Sequence, residues 1–423
     1  MDRQIKKTLW THDFIALSIG SVPSAIADVA MSFLMSVIVY YETQSTFLSG
    51  IFLGAGLIPN IIIPIVAGPF VDAHHKKNFI VILDFLMASL FLLGSFLFGK
   101  IGFNYGLFML FDIICGCMGG VYQVAYEAYF PSLIPTGFEQ KGYSVSSMIY
   151  PTVSVFFTPI AALLYSKMGL PFIMFAISIC LFISSLIESM IKERGPKKDV
   201  NLKENPLTTF LLELKVAREY LKKETGLNRW YINVAVGGGM WKLREIMAVA
   251  WFTINPALGL ILYSYLNIAE FAGRSVGGFF NYNVKFKNSH KTAATLFVYV
   301  FYEICDSILL FVSFPIMLAM RAACGFLGIN SAVLRASAVQ NYIPDEDRGK
   351  INSLLGVRNS IFIMVVTSIG GALGDLIGIR ETVIIACAIG MLSIFVNVFL
   401  KRKEISEIFM KMPDDISNTK FVI

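Results

Sequence analysis

The sequence predicts an all-α membrane protein with twelve transmembrane helices, arranged as two pseudo-symmetric halves of six helices each. Hydrophobic residues make up 56% of the 423 residues and charged residues only 15%. The mean hydropathy of +0.67 lies far above that of soluble proteins. About twelve apolar segments reach the length of roughly 20 residues that crosses a bilayer as a helix. Parts of the first half also recur in the second half.

The predicted spans follow one another with short connections, except for one long polar segment after the sixth span. Their approximate limits are 14–41, 47–71, 78–99, 104–128, 143–166, 170–190, 229–253, 257–281, 292–312, 314–339, 351–374 and 380–400. The polar segment divides the chain into an N-terminal half (1–191), a cytosolic linker (192–228), a C-terminal half (229–403) and a cytosolic tail (404–423).

A shift of 209 residues (277 − 68) relates the two halves. Gly68 and Lys76, in the connection after the second span, match Gly277 and Lys285 after the eighth span. The same shift relates further pairs: Asp112 and Arg321, Gly116 and Gly325, Gly119 and Gly328, and Gly169 and Gly378. Parallel repeats are typical of transporters whose halves are related by an axis along the membrane normal.

Lysine and arginine residues concentrate at alternate connections. The N-terminus, Lys76 with Lys77, and the linker are basic, whereas the opposite connections contain little beyond Lys100, Lys167 and Arg380. Because basic residues favour cytosolic connections, we expect both termini in the cytosol and a multi-pass protein in the cell membrane.

The sequence contains no signature of an enzyme or of a cofactor site. All six cysteines lie in apolar segments, and Cys115 and Cys117 stand on different faces of a helix. His74 and His75 have no partner at metal-ligand spacing, and no phosphate-binding P-loop occurs. We therefore expect no enzymatic activity, no cofactor, no metal and no nucleic-acid partner, and we expect a monomer.

Several motifs make the chain resemble a known family. They are Glu42-Thr43-Gln44-Ser45, Ile58-Pro59, the loop from Gly68 to Lys77, Pro131-Ser132-Leu133-Ile134-Pro135, and Ile343-Pro344-Asp345-Glu346-Asp347-Arg348-Gly349-Lys350. With them the chain resembles major facilitator superfamily transporters over its whole length, and within them the macrolide-efflux and enterobactin-exporter-like branch of drug–proton antiporters. The resemblance implies two halves that rock about a central cavity to give alternating access.

The resemblance also implies a conformational clasp formed by Gly68, Asp72, Lys76 and Glu127 at the cytosolic ends of the spans. Asp72 would face the N-terminus of the eleventh span, where a helix end favours an anion. Lys76 would pair with Glu127. The alternative is that these charges only set the topology.

Asp28 lies near the middle of the first span, with Ala27, Val29 and Ala30 around it. Desolvation disfavours the charged form of a carboxylate, and first spans line the cavity in the resembled superfamily. We therefore expect Asp28 to carry the coupled proton. The alternative is a fixed hydrogen bond or ion pair to a neighbouring span.

Other charges fall inside the spans of the second half, at a cost of about 2.5–3.5 kcal/mol each on insertion scales. Lys242, Arg244 and Glu245 form a group in the seventh span, and Glu270 and Arg274 lie four residues apart in the eighth. The spacing favours mutual neutralisation of Lys242 with Glu245 and of Glu270 with Arg274. The alternative is a polar cavity wall for a substrate with anionic or hydrogen-bonding groups.

Asp112 and Arg321 occupy equivalent positions in the fourth and tenth spans, with opposite charges. We expect them to approach across the cavity as an outer gate. The alternative is pairing within each half, for instance of Arg321 with Asp306. Arg358 in the eleventh span has no partner at helical spacing and is a candidate for contact with substrate or with the proton site. We expect Asp84, Glu303 and Asp306, in peripheral spans, to be structural.

These features predict a secondary active transporter that exports amphipathic, drug- or macrolide-like small molecules by proton-coupled alternating access. Its partners would be the small-molecule substrate, protons and the lipid bilayer. A lipid flippase, or a metabolite importer or facilitator of the same fold, stays open as an alternative. A non-transporting membrane receptor or scaffold is a further alternative, although a scaffold need not retain charges inside its spans.

Overall fold

A computed structural model of the chain describes residues 8–72, 74–135, 139–192, 206–255, 258–285, 287–410 and 421–422. The helices are α1 (His12–Thr43), α2 (Thr46–Asp72), α3 (Lys76–Ile101), α4 (Tyr105–Leu133), α5 (Glu139–Ser189), α6 (Pro206–Lys223), α7 (Thr225–Ile254), α8 (Gly259–Asn283), α9 (Asn288–Leu309), α10 (Phe314–Tyr342), α11 (Asp345–Ile377), α12 (Ile379–Ile394) and α13 (Arg402–Met410). A π-helical turn (Phe395–Phe399) extends α12. The strands β1 (Val284–Lys285) and β2 (Phe421–Val422) pair in parallel, with Val284 opposite Phe421.

The predicted all-α membrane fold class is confirmed. Each predicted span falls on a helix, and α5 contains both the fifth and the sixth span. Nine helices in the described part of the chain are long and apolar enough to cross a membrane. The helices α7 and α8 lie at the seventh and eighth predicted spans and contain Lys242, Arg244 and Glu245, and Glu270 and Arg274, respectively.

Two glycines end spans at equivalent places in the two halves. Gly169 has a φ of 75° and interrupts α5 between the fifth and sixth spans. Gly378, which lies 209 residues later (378 − 169), has a φ of 107° and separates α11 from α12. Glycine adopts positive φ without a steric cost, so the repeated glycines produce the same sharp connection twice.

The chain divides into two compact units, and α2 is shared between them. The N-terminal unit comprises Met1–Ile38 and Ala55–Thr209, and the C-terminal unit comprises Val39–Gly54 and Phe210–Ile423. The first part of α2 therefore packs within the C-terminal unit and the remainder within the N-terminal unit.

Each unit has its own buried apolar core. Phe14, Leu17 and Ile80 belong to the core of the N-terminal unit, and Trp230 and Phe409 belong to that of the C-terminal unit. The linker helix α6 packs its apolar face on the second core through Ala217 and Leu221, which are 1% and 2% exposed. Large apolar side chains also cover the outer faces of the spans, as expected for helices in contact with lipid: Leu93, Phe96, Leu186, Val276, Phe297, Ile369 and Leu376 are among the exposed ones.

The helices α8 and α10 cross in close contact because both contribute glycine at the crossing. A Cβ added at Gly325 would collide with the backbone O of Glu270, and one added at Gly273 would collide with the backbone O of Ala322. This close approach brings the charged side chains of α8 within reach of those of α10.

Candidate transport site

The predicted spans of the N-terminal half contain carboxylates and no cation. Asp28, Asp84, Asp112, Glu127 and Glu188 all fall within these spans. Between residues 8 and 191 the basic side chains lie just outside the span limits, at Lys76, Lys77, Lys100, Lys141 and Lys167. Buried carboxylates without a cation must be neutralised in another way, because an isolated buried charge is costly.

Asp84 connects three helices of the N-terminal unit through two serines. The side chain of Asp84 on α3 is 1% exposed. Its Oδ2 lies 2.8 Å from Ser24 Oγ on α1, and Ser24 Oγ lies 2.8 Å from Ser184 Oγ on α5. Ser184 Oγ donates to the backbone O of Gly20 at 2.9 Å. The other oxygen, Asp84 Oδ1, is buried and has no hydrogen-bond partner among the described residues.

Two further carboxyl groups adjoin this link. Asp28 lies four residues after Ser24 on α1 and is exposed. Glu188 is fully buried, and its Oε1 accepts a hydrogen bond from the Tyr122 hydroxyl at 3.1 Å. In the part of the chain that the structure describes, Glu188 Oε2 is buried without a partner. Asp28, Asp84 and Glu188 are hereafter the carboxyl cluster.

The contacts of Asp84 are what sequence reasoning missed. Its position in a peripheral span suggested a structural role, and the structure joins it to Ser24, one helical turn before Asp28. Two signals were available in the sequence: the lack of any cation in these spans, and Ser24 one helical turn before Asp28.

The C-terminal unit contains the opposite arrangement, in which buried charges neutralise one another. Six side chains from α7, α8, α9 and α10 form a chain of alternating charge, the charge chain, in the order Glu303, Arg244, Asp306, Arg321, Glu270 and Arg274. Three guanidinium groups thus face three carboxylates. Pairing is what permits such charges to be buried.

The contacts of the charge chain run between helices. Arg244 forms an ion pair with Glu303, and its Nε lies 3.0 Å from Asp306 Oδ2. Arg321 Nη1 lies 3.3 Å from Asp306 Oδ1 and 3.8 Å from Glu270 Oε2.

The two ion pairs predicted from residue spacing along a helix are present in the C-terminal unit. Arg274 Nη2 lies 2.6 Å from Glu270 Oε1, and Lys242 Nζ lies 2.8 Å from Glu245 Oε2. Arg244 does not take part in the Lys242–Glu245 pair but turns towards α9, because its buried position faces that helix.

Arg321 forms its ion pairs inside the C-terminal unit. This is the arrangement that the sequence offered as the alternative to an outer gate. The ion pairs with Asp306 and Glu270 already neutralise Arg321. The outer gate between Arg321 and Asp112 itself stays a prediction. Asp112 itself packs on α2, where a Cβ added at Gly56 would lie 2.9 Å from its Oδ2.

The residues of the expected clasp are only partly described. Gly68 and Asp72 belong to α2, and the side chain of Asp72 lies outside what the structure describes. Lys76 begins α3, and Glu127 on α4 accepts a hydrogen bond from Gln123 Nε2 at 2.6 Å. The pairing of Lys76 with Glu127 stays a prediction.

A cavity of about 450 Å³ lies within the C-terminal unit beside the charge chain. Its wall includes four members of that chain (Arg244, Glu270, Arg274 and Glu303), a further cation (Arg335), three aromatic side chains (Trp241, Tyr299 and Tyr302) and three small polar side chains (Asn233, Ser331 and Asn359). The volume and the mixed lining suit a small organic molecule with polar groups. Arg358, in the first half of α11, donates from Nη1 to Asn228 Oδ1 at 3.0 Å.

The structure resembles solved transporters of several substrate classes. The nucleoside transporter NupG is 11% identical, with a TM-score of 0.68 over 92% of this chain and 99% of that one. A bacterial homologue of the iron transporter ferroportin is 14% identical, with a TM-score of 0.67 over 93% and 100%. The E. coli fucose:proton symporter FucP, as an N162A variant, is 17% identical, with a TM-score of 0.55 over 93% and 99%. Likeness at such low identity concerns the fold alone.

The sequence comparison decides the family. No curated protein matches the chain significantly. The family model of the Major Facilitator Superfamily matches residues 17–302, which is more than half of the chain. This multi-pass membrane protein therefore belongs to the Major Facilitator Superfamily.

Proposed function

We propose that the protein is a secondary active transporter that exports amphipathic small molecules across the cell membrane in exchange for protons. The proposal includes the macrolide-efflux and enterobactin-exporter-like branch, cytosolic termini, and the clasp of Gly68, Asp72, Lys76 and Glu127. Membership of the superfamily supports transport, and the carboxyl cluster supports coupling to protons.

The observation that carries the proposal is a count of hydrogens around Asp84. Three contacts of 2.8, 2.8 and 2.9 Å link Asp84, Ser24, Ser184 and the backbone O of Gly20. Each needs one hydrogen between its oxygens, since these are hydrogen-bond distances. The two serine hydroxyls supply two hydrogens. A proton on the carboxyl group of Asp84 would supply the third, and this supports a role of Asp84 in proton coupling.

Asp28 would connect the carboxyl group of Asp84 with the surroundings. Asp28 is exposed and lies one helical turn after Ser24, which contacts the buried Asp84. Neighbouring carboxyl groups without a cation hold protons as a pair rather than singly. A proton taken up at Asp28 would be shared with Asp84 and lost when the surroundings of Asp28 change.

The cavity of the C-terminal unit supports an amphipathic substrate. Trp241, Tyr299 and Tyr302 offer aromatic surface, and Asn233 and Asn359 offer hydrogen bonds. Because the charge chain neutralises itself, it does not require a substrate of either charge.

Transport into inverted vesicles with an acidic interior tests the proposal. A susceptibility panel of macrolides and other amphipathic drugs on expressing cells first identifies an exported compound. We expect a protonophore to abolish its accumulation, and Asp28→Asn and Asp84→Asn to bind the compound without accumulating it. Glu42→Gln, which changes an exposed carboxylate at the end of α1, is the matched control and should accumulate normally.

Two results would contradict this function. Accumulation that survives both the protonophore and the two aspartate variants would exclude coupling through the carboxyl cluster. Equilibration of the compound without any gradient would identify a facilitator of the same fold instead.

A further inference from the structure

We propose that Arg335 and Arg358 form a binding site for the acidic group of the transported molecule, which makes the substrate class an anionic amphiphile. The inference rests on the proposed transport function and adds to it the charge of the substrate. It concerns the C-terminal unit alone and does not depend on proton coupling.

The two arginines differ from the three in the charge chain. Arg244, Arg274 and Arg321 each contact a carboxylate. Within the described ranges, neither Arg335 nor Arg358 forms an ion pair with a carboxylate. An arginine inside a span is costly unless it is paired, so an anion that binds these two cations would gain favourable contacts.

Arg358 presents an open binding edge. Its Nη1 donates to Asn228 Oδ1 at 3.0 Å, which holds one side of the guanidinium group. Its Nε and Nη2 are buried and have no hydrogen-bond partner in the described part of the chain. These two nitrogens lie on the same edge of the planar group, and that edge binds both oxygens of a carboxylate or phosphate at once. Leaving buried donors unsatisfied costs free energy, which a bound anion would recover.

Arg335 lines the cavity and is held by a neutral partner. Its Nη1 lies 3.3 Å from the hydroxyl oxygen of Tyr299, and Trp230 Nε1 donates to the same oxygen at 3.1 Å. The guanidinium group is therefore positioned without being neutralised. Its location in the cavity wall makes it accessible to a ligand.

Both guanidinium groups are held at the same level of α7. Arg358 contacts Asn228, and Arg335 contacts the Tyr299 hydroxyl to which Trp230 also donates. Asn228 and Trp230 lie two residues apart on α7, a rise of about 3 Å, so one anion at this level would lie near both cations. The aromatic side chains of the cavity would contact the remainder of the molecule.

The test measures binding to the full chain in a neutral detergent without any gradient. The probes are three acids, benzoate, 2-naphthylacetate and decanoate, each paired with its own amide. We expect at least one acid to bind about tenfold or more tightly than its amide, since a charge-assisted contact contributes more than a neutral one. Arg335→Gln and Arg358→Gln should each remove most of this preference.

Arg229→Gln is the matched control because it removes an exposed cation next to Asn228 and should keep the preference. If no acid in the panel binds more tightly than its amide, or if the preference survives in both variants and in their combination, the site is refuted. Thermal unfolding of each variant shows that loss of binding is not loss of fold.

A lipid headgroup is the other possible source of the anion, and nanodiscs separate the two sources. In phosphatidylcholine discs the acid should bind as in detergent. If phosphatidylglycerol displaces it from the wild type, the site holds a lipid headgroup and the assignment to substrate is overturned; if the acid still binds, the assignment stands. These binding measurements use no gradient, so their outcome does not depend on proton coupling. The anion site and proton-coupled export can therefore be refuted separately.

Discussion

Asp375 near the end of α11 caps the N-terminus of α2 through Thr46. Within the C-terminal unit, Asp375 Oδ1 accepts hydrogen bonds from the backbone N of Thr46 at 2.7 Å and from its Oγ1 at 2.6 Å. Asp375 Oδ2 accepts from the backbone N of Phe47 at 3.2 Å. A carboxylate is favourable at this position because the first N–H groups of a helix lack partners within it.

We expect Asp375→Ala to lower the free energy of unfolding by about 1–2 kcal/mol, the usual effect of losing an N-terminal cap. Asp375→Asn keeps an acceptor but loses the charge and should have a smaller effect. Denaturation of the purified protein in detergent measures both. If the alanine variant unfolds like the wild type, the cap does not stabilise α2.

Asp84→Asn should leave stability within about 1 kcal/mol of the wild type if Asp84 is protonated as proposed, because an amide resembles a protonated carboxyl group. Asp306→Asn makes the same chemical change in the charge chain, where it leaves Arg244 and Arg321 short of a carboxylate. We expect it to cost about 3–5 kcal/mol, as for a broken buried ion pair. Equal effects of the two substitutions would contradict the difference in protonation.

The exchange of charges between Asp112 and Arg321 should not restore transport. Arg321→Asp would leave Asp306 and Glu270 beside a third carboxylate, and Asp112→Arg does nothing to relieve that repulsion. We therefore expect Arg321→Asp to be severely impaired alone and in the double variant. Recovery of transport in the double variant would support the outer gate.

Gly325→Ala should destabilise the protein, because its Cβ would collide with the backbone of α8 at Glu270. The expected cost is about 1–3 kcal/mol, typical of an overpacked contact. Gly278→Ala on α8 is the control, since a Cβ there meets nothing within 4 Å. The control should be neutral or slightly stabilising, as alanine favours helix over glycine. Thermal unfolding in detergent compares the two, and similar midpoints would show that the close crossing tolerates a side chain.

The amino-acid sequence alone determined the fold class, the spans and the family resemblance. These depend on properties that are local or additive, such as the length of an apolar segment and the spacing of charges along one helix. The pairs Lys242–Glu245 and Glu270–Arg274 were predictable for this reason, since residues three or four apart are neighbours on any helix. The repeat was visible too, and Gly169 and Gly378 end spans at equivalent places.

Only the tertiary structure decided which groups meet between helices. Contacts such as Arg244 with Glu303, or Asp84 with Ser24, depend on how each helix is rotated about its axis and how closely it approaches its neighbours. The crossing of α8 and α10 brings Glu270 and Arg321 into contact, because Gly273 and Gly325 let the two helices approach closely. Helical periodicity cannot supply these rotations and distances, because they result from packing of all the side chains at once.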